Sequence, residues 1–133
     1  ITQEEAEKVL CHAIEMRINA EDYENNFLPC PSFISALHLP AGLGVRVDSA
    51  MYAGYEVPPF YDSLIAKIIV NAPTRQQAII RAERALKEFM IEGPKTTAPF
   101  HKILLKNEVF KEGKATTALV EEILNASKKQ DKK

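Results

Sequence analysis

Residues 64–90 read LIAKIIVNAPTRQQAIIRAERALKEFM, and the change of period inside this stretch decides the fold. LIAKIIV, 64–70, is an almost unbroken apolar run closed by Asn71, Ala72 and Pro73, which predicts a buried strand. From Thr74 onward the apolar residues recur at three- and four-residue spacing: Ala78, Ile79, Ala82, Leu86, Phe89 and Met90. Thr74 is suited to cap that helix. Gly93-Pro94 is suited to end it, because glycine accepts a left-handed φ and proline cannot continue a helix.

Upstream of the switch the period is two. In HAIEMRINAED, 12–22, the residues Ile14, Met16 and Ile18 alternate with Ala13, Glu15 and Arg17, which predicts a strand. Glu15 and Arg17 then share one face, ~7 Å apart by the strand rise. NAEDYENNFLPCP, 19–31, reads as a loop. In SFISALHLP, 32–40, Phe33, Ser35, Leu37 and Leu39 alternate with Ile34, Ala36 and His38. VRVDS, 45–49, sets Val45 and Val47 against Arg46 and Asp48, and PAGLG, 40–44, is suited to join these two segments as a hairpin. MYAGYEVPPFYDS, 51–63, is a stiff link whose paired prolines bring Tyr61 and Asp62 to the next strand at a set angle. At the N-terminus, Thr2 and Glu5 have capping-box spacing.

Downstream, APFHKILLKNEVF, 98–110, predicts a second helix opened by Pro99. TTALVEEILNAS, 116–127, predicts a third after Gly113. Strands first and helices afterwards predict an α+β fold, a small antiparallel β-sheet followed by packed α-helices, in one domain over 1–133.

Composition sets bounds on function. The chain has 133 residues, 46% of them hydrophobic and 26% charged, with a net charge of −1. That balance gives no bulk attraction for nucleic acid or an anionic membrane. The basic end SKKQDKK, 127–133, reads as a solubilising tail. No apolar run is long enough for a membrane span, and the acidic start is unlike a signal peptide. The absent initiator methionine leads us to expect a piece of something larger. Cys11 and Cys30 lack metal-site spacing and read as small packed thiols in a reduced, cytoplasmic setting.

No glycine-rich phosphate loop and no nucleophile–histidine arrangement stands out. His12 and His38 read as sheet residues, and Glu21-Asp22 as solvated loop charges. Arg17 remains. Paired with Glu15 it is only a strut, but a permanently charged, planar guanidinium on a rigid strand is also suited to an oxyanion.

HAIEMRINAED, FLPCP, GLGVRVDS, YAGYEVPPFYDSLIAKII and IEGPKTT, in this order over roughly 12–97, resemble the C-terminal domain of biotin carboxylase. That enzyme is the ATP-grasp component of acetyl-CoA carboxylase and of its pyruvate and propionyl relatives. The resemblance implies a fragment of an ATP-dependent C–N ligase of fatty acid biosynthesis, which uses MgATP and bicarbonate to carboxylate biotin on a carrier protein. Arg17 matches the arginine of the family's RINAED motif, which implies contact with the biotin ureido oxygen and stabilisation of the enolate formed there. Leu43 and Arg46, in GLGVR, and Asp62 are implied at a homodimer interface, and family members often carry Phe where this chain has Leu43.

ATP and Mg²⁺ or Mn²⁺ are implied to sit on an upstream ATP-grasp portion absent from these residues. The chain alone is therefore expected to be inactive and to hold no cofactor. The implied partners are that upstream portion, the biotin carboxyl carrier protein and a carboxyltransferase component, with no nucleic acid or membrane. The implied location is the cytoplasm, or an organelle matrix or stroma in a eukaryote. The competing reading is a non-catalytic α+β assembly domain, although such a scaffold has no need of Arg17.

Overall fold

The computed structural model describes residues 2–6, 8, 11–60 and 62–130. In chain order its elements are α1 Gln3–Ala6, β1 His12–Asn19, β2 Glu21–Asp22, β3 Leu28–Pro29, β4 Ala36–His38, β5 Val45–Ser49 and β6 Leu64–Ala72. Then follow α2 Arg75–Glu88, β7 Met90–Glu92, α3 Ala98–Lys106, α4 Glu108–Lys111 and α5 Ala118–Gln130. Every strand pairing is antiparallel, and the whole is the α+β architecture the pattern predicts.

β6 is the centre of the main sheet, whose order is β1-β6-β5. Flanked on both sides, it buries Ala66, Ile68, Val70 and Ala72 on one face, hence its apolar run. Met16 and Ile18 of β1 join that face, and α2 packs over it through Ala78, Ile79, Ala82, Ala85 and Leu86. Thr74 caps α2 as expected, its Oγ1 accepting from Gln77 N–H at 3.3 Å. Thr2 and Glu5 likewise exchange bonds, at 2.9 and 3.3 Å, and open α1. A second apolar cluster, Phe100, Leu119 and Ile123 with Tyr23 and Phe27 against it, fastens α5 to the loop after β2.

Several local expectations fail. β4 does not pair with β5 across PAGLG; it pairs with β7, in the register Ala36↔Glu92, Leu37↔Ile91 and His38↔Met90. That strand needs Met90–Glu92, so α2 stops at Glu88 and Met90 is half exposed. Within 32–40 the buried residue is Ile34, whereas Phe33, on the supposedly apolar face, is 54% exposed. The second predicted helix is two, because the Asn107 side chain accepts from Val109 and Phe110 N–H and restarts the chain as α4.

Cys11 is exposed and Cys30 half-buried, so Cys11 is not the packed thiol expected; His12 and His38 lie exposed on strands. Tyr61 and the side chains of the basic tail lie outside the described residues. No described helix is long and apolar enough to cross a membrane.

Candidate functional site

Alternation along β1 turns Ile14, Met16 and Ile18 inward and leaves Glu15 and Arg17 on the uncovered face. Arg17 does not pair with Glu15. Its Nη2 lies 3.3 Å from Asp62 Oδ2, with the two side chains 50% and 65% exposed. An exposed pair of that length contributes little to stability, and half of the Arg17 side chain stays open to solvent.

Asp62 is held from its other end. Its Oδ1 accepts from Leu64 N–H at 3.0 Å, fixing the turn into β6. Next to it, Ser63 Oγ donates to Glu21 Oε1, which also accepts from Asn19 Nδ2 at 3.0 Å. Ala20 N–H reaches Ser63 C=O at 2.7 Å. RINAED and Asp62-Ser63 are therefore one unit, joined through Arg17, Asn19, Ala20 and Glu21.

Glu21 and Asp22, read as solvated, are structural anchors. Asp22 accepts from Asn25 Nδ2 at 2.8 Å, from Glu24 N–H at 3.2 Å and from Lys95 Nζ at 2.6 Å. The Lys95 bond first, then the Asn25 bond, holds its carboxyl below the ordinary carboxylate value. The same contact raises Lys95.

The second pair of predicted residues lies elsewhere. The uncovered face carries two cross-strand rows, Arg17–Lys67–Asp48 and Glu15–Ile69–Arg46. Arg46 is thus two strands away from β1, ~10 Å by strand spacing. It forks onto Asp48 at 2.9 and 2.8 Å, and that bond raises Arg46 and lowers Asp48. Leu43, in the turn before β5, is 92% exposed. The structure brings Arg17 and Asp62 together, and sets Leu43 and Arg46 apart at the β5 edge.

Two residues of the site escaped sequence reasoning. Thr97 Oγ1 and His101 Nε2 both meet the Arg17 carbonyl, at 3.0 and 2.9 Å. A carbonyl only accepts, so Nε2 carries a proton. Burial lowers His101 below its ordinary value, against the opposing bond to Arg17. The signal was their four-residue spacing on a helix face, which reads as surface without knowledge of β1. Among the described residues no group of three or more His, Cys, Asp or Glu is placed to hold a metal ion.

Residues 15–122 match the family described as the biotin carboxylase C-terminal domain. The chain is 55% identical over 109 residues to Biotin carboxylase 1 of Bacillus subtilis, covering 82% of this chain and 24% of that protein. It is 53% identical over 111 residues to a pyruvate carboxylase subunit of Methanothermobacter thermautotrophicus, covering 84% and 23%. A solved biotin carboxylase domain dimer of the 2-oxoglutarate carboxylase of Hydrogenobacter thermophilus, in complex with MgADP, ADP and bicarbonate, superposes with a TM-score of 0.81. It shares 45% identity and is covered over 83% of this chain and 24% of its own. The chain spans about a quarter of the length of the curated relatives it matches.

Proposed function

Because the chain belongs to the biotin carboxylase C-terminal domain family, we propose that it completes the biotin site of an ATP-dependent biotin carboxylase. The observation that carries this reading is Arg17, half-exposed on a rigid strand and, among the described residues, restrained by one long pair to Asp62. Its free donors suit the ureido oxygen of carrier-bound biotin, where negative charge gathers as the ring nitrogen gives up its proton. A fixed guanidinium meets that charge without reorganising, which is the source of its advantage over water. Asp62 sets the orientation of the fork while leaving its other edge open.

In this proposal MgATP and bicarbonate are bound by an upstream ATP-grasp portion, and the chain by itself does not turn over. Carrier protein and carboxyltransferase are its further partners. The exposed β5 edge with Leu43 and Arg46 is the surface for a second copy. An acetyl-CoA-type carboxylase in the cytoplasm or stroma, serving fatty acid synthesis, is the setting we assign.

The test replaces the matching part of the Bacillus subtilis enzyme with this chain and measures biotin- and bicarbonate-dependent ATP cleavage. We expect an active hybrid in which Arg17→Ala lowers kcat about a hundredfold or more, with the melting temperature preserved. An intact hybrid indifferent to Arg17→Ala overturns the role. A folded but inactive hybrid favours a purely assembling domain.

A further inference from the structure

We infer that Thr97 and His101 are positioning residues for Arg17, a clamp by which α3 stands in for the strand missing from the outer edge of β1. The inference rests on the assignment of Arg17 to the biotin site. Among the described strands β1 pairs with β6 alone, so the outward backbone groups of Arg17 and Asn19 have no ladder partner there. Unsatisfied edge groups leave a strand free to fray or shift.

Here α3 and its N-cap residue partner three of those groups from one turn: Arg17 C=O, Asn19 N–H and Asn19 C=O. Thr97 Oγ1 donates to Arg17 C=O at 3.0 Å and accepts from Asn19 N–H at 3.0 Å. Thr97 N–H donates to Asn19 C=O at 3.1 Å. His101 Nε2–H fills the second acceptor site of Arg17 C=O at 2.9 Å. The result resembles two rungs of a sheet, built from a helix.

The direction of those bonds shows what the helix gives up. Thr97 is the residue at the N-cap of α3, yet its side chain makes no capping bond. Threonine at that position ordinarily caps its own helix. Its hydroxyl goes to β1 instead. Among the described residues the guanidinium itself has the one 3.3 Å, half-exposed contact with Asp62, so its placement depends on where the backbone of Arg17 is held. Burial lowers His101 below its ordinary value, which disfavours a charge in the clamp.

In the hybrid enzyme, Thr97→Val and His101→Leu remove hydroxyl and donor at nearly constant shape. Each is expected to lower kcat by about tenfold to a hundredfold, with the biotin KM moving less than kcat. Thr97→Ser and His101→Gln keep the hydrogen bonds and should restore most of the rate. Arg17→Ala is measured alongside. If it is costly while folded Thr97→Val and His101→Leu match the parent, the clamp is overturned and the assignment of Arg17 stands. If Arg17→Ala costs nothing, that assignment fails, and the clamp is decided on the 133-residue chain by NMR. There the Arg17 Nε–H signal should broaden or split in Thr97→Val and His101→Leu and stay single in His101→Gln. An unchanged signal in both loss variants overturns the clamp.

Discussion

Asp22 shows how a charge in a loop becomes a structural part. With its side chain 12% exposed and bonded to Lys95, Asn25 and Glu24, it ties the turn after β1 to the segment leading into α3. Lys95 is the first cause of its lowered carboxyl value, ahead of Asn25. Lys95→Met should therefore return the Asp22 titration upward, toward the ordinary 3.8, in a carboxyl-carbon NMR titration. A midpoint that stays where it was would assign the effect to the local turn. Nothing near Asp22 in sequence announces this, since Lys95 lies 73 residues on. Arg17 was more legible, because a two-residue period alone decides which side chains leave the core face. Its partner Asp62, 45 residues away, and its backbone anchors, 80 and 84 residues away, were not.

Elements whose signals are local behaved as their residues dictate. α2 begins where Thr74 supplies an acceptor, and Thr74→Ala should cost about 1 kcal/mol in urea unfolding, with Thr74→Ser close to the parent. The end of α2 is set by a distant requirement. Phe89 and Met90 continue the helical spacing, but β4 has no neighbour in the main sheet and takes β7. Gly93 makes that exchange geometrically possible. Its φ is +126°, and a Cβ there would collide with the Phe33 carbonyl. Gly93→Ala should thus destabilise the fold by more than Thr74→Ala, by about 1–3 kcal/mol for the backbone strain and further for the clash. Equal losses in the two variants would mean that β7 can move away from 33–34 freely. PAGLG misled for a related reason. Its glycines do turn, with φ of +109° at Gly42 and +72° at Gly44, but a turn fixes a reversal and not a partner.

Across the whole molecule, acid should weaken the fold in two steps that belong to different residues. His101 has a lowered folded value because burial disfavours its charge. Below its ordinary 6.5 the unfolded chain takes up this proton while the folded one resists, so stability falls with pH from there down to the folded value. Asp22 acts in a lower window. Its contribution is complete above 3.8 and is lost as pH falls through the depressed folded value, where the bond to Lys95 disappears. Urea midpoints measured from pH 7.5 to pH 3 on the parent, His101→Gln and Asp22→Asn separate the steps. His101→Gln keeps the hydrogen bond and cannot titrate, so it should flatten the upper decline and leave the lower one. Asp22→Asn should begin less stable at neutral pH and lose the lower decline alone. A parent and a His101→Gln variant that fall in parallel below 6.5 would move the upper step away from His101. Both titrating residues flank the unit that holds Arg17, Asp22 beside RINAED and His101 against its backbone. Acid is therefore expected to loosen the proposed biotin-facing edge before the α2-covered core, and the amide-exchange protection factor of Asn19 should fall at a higher pH than that of Ile68.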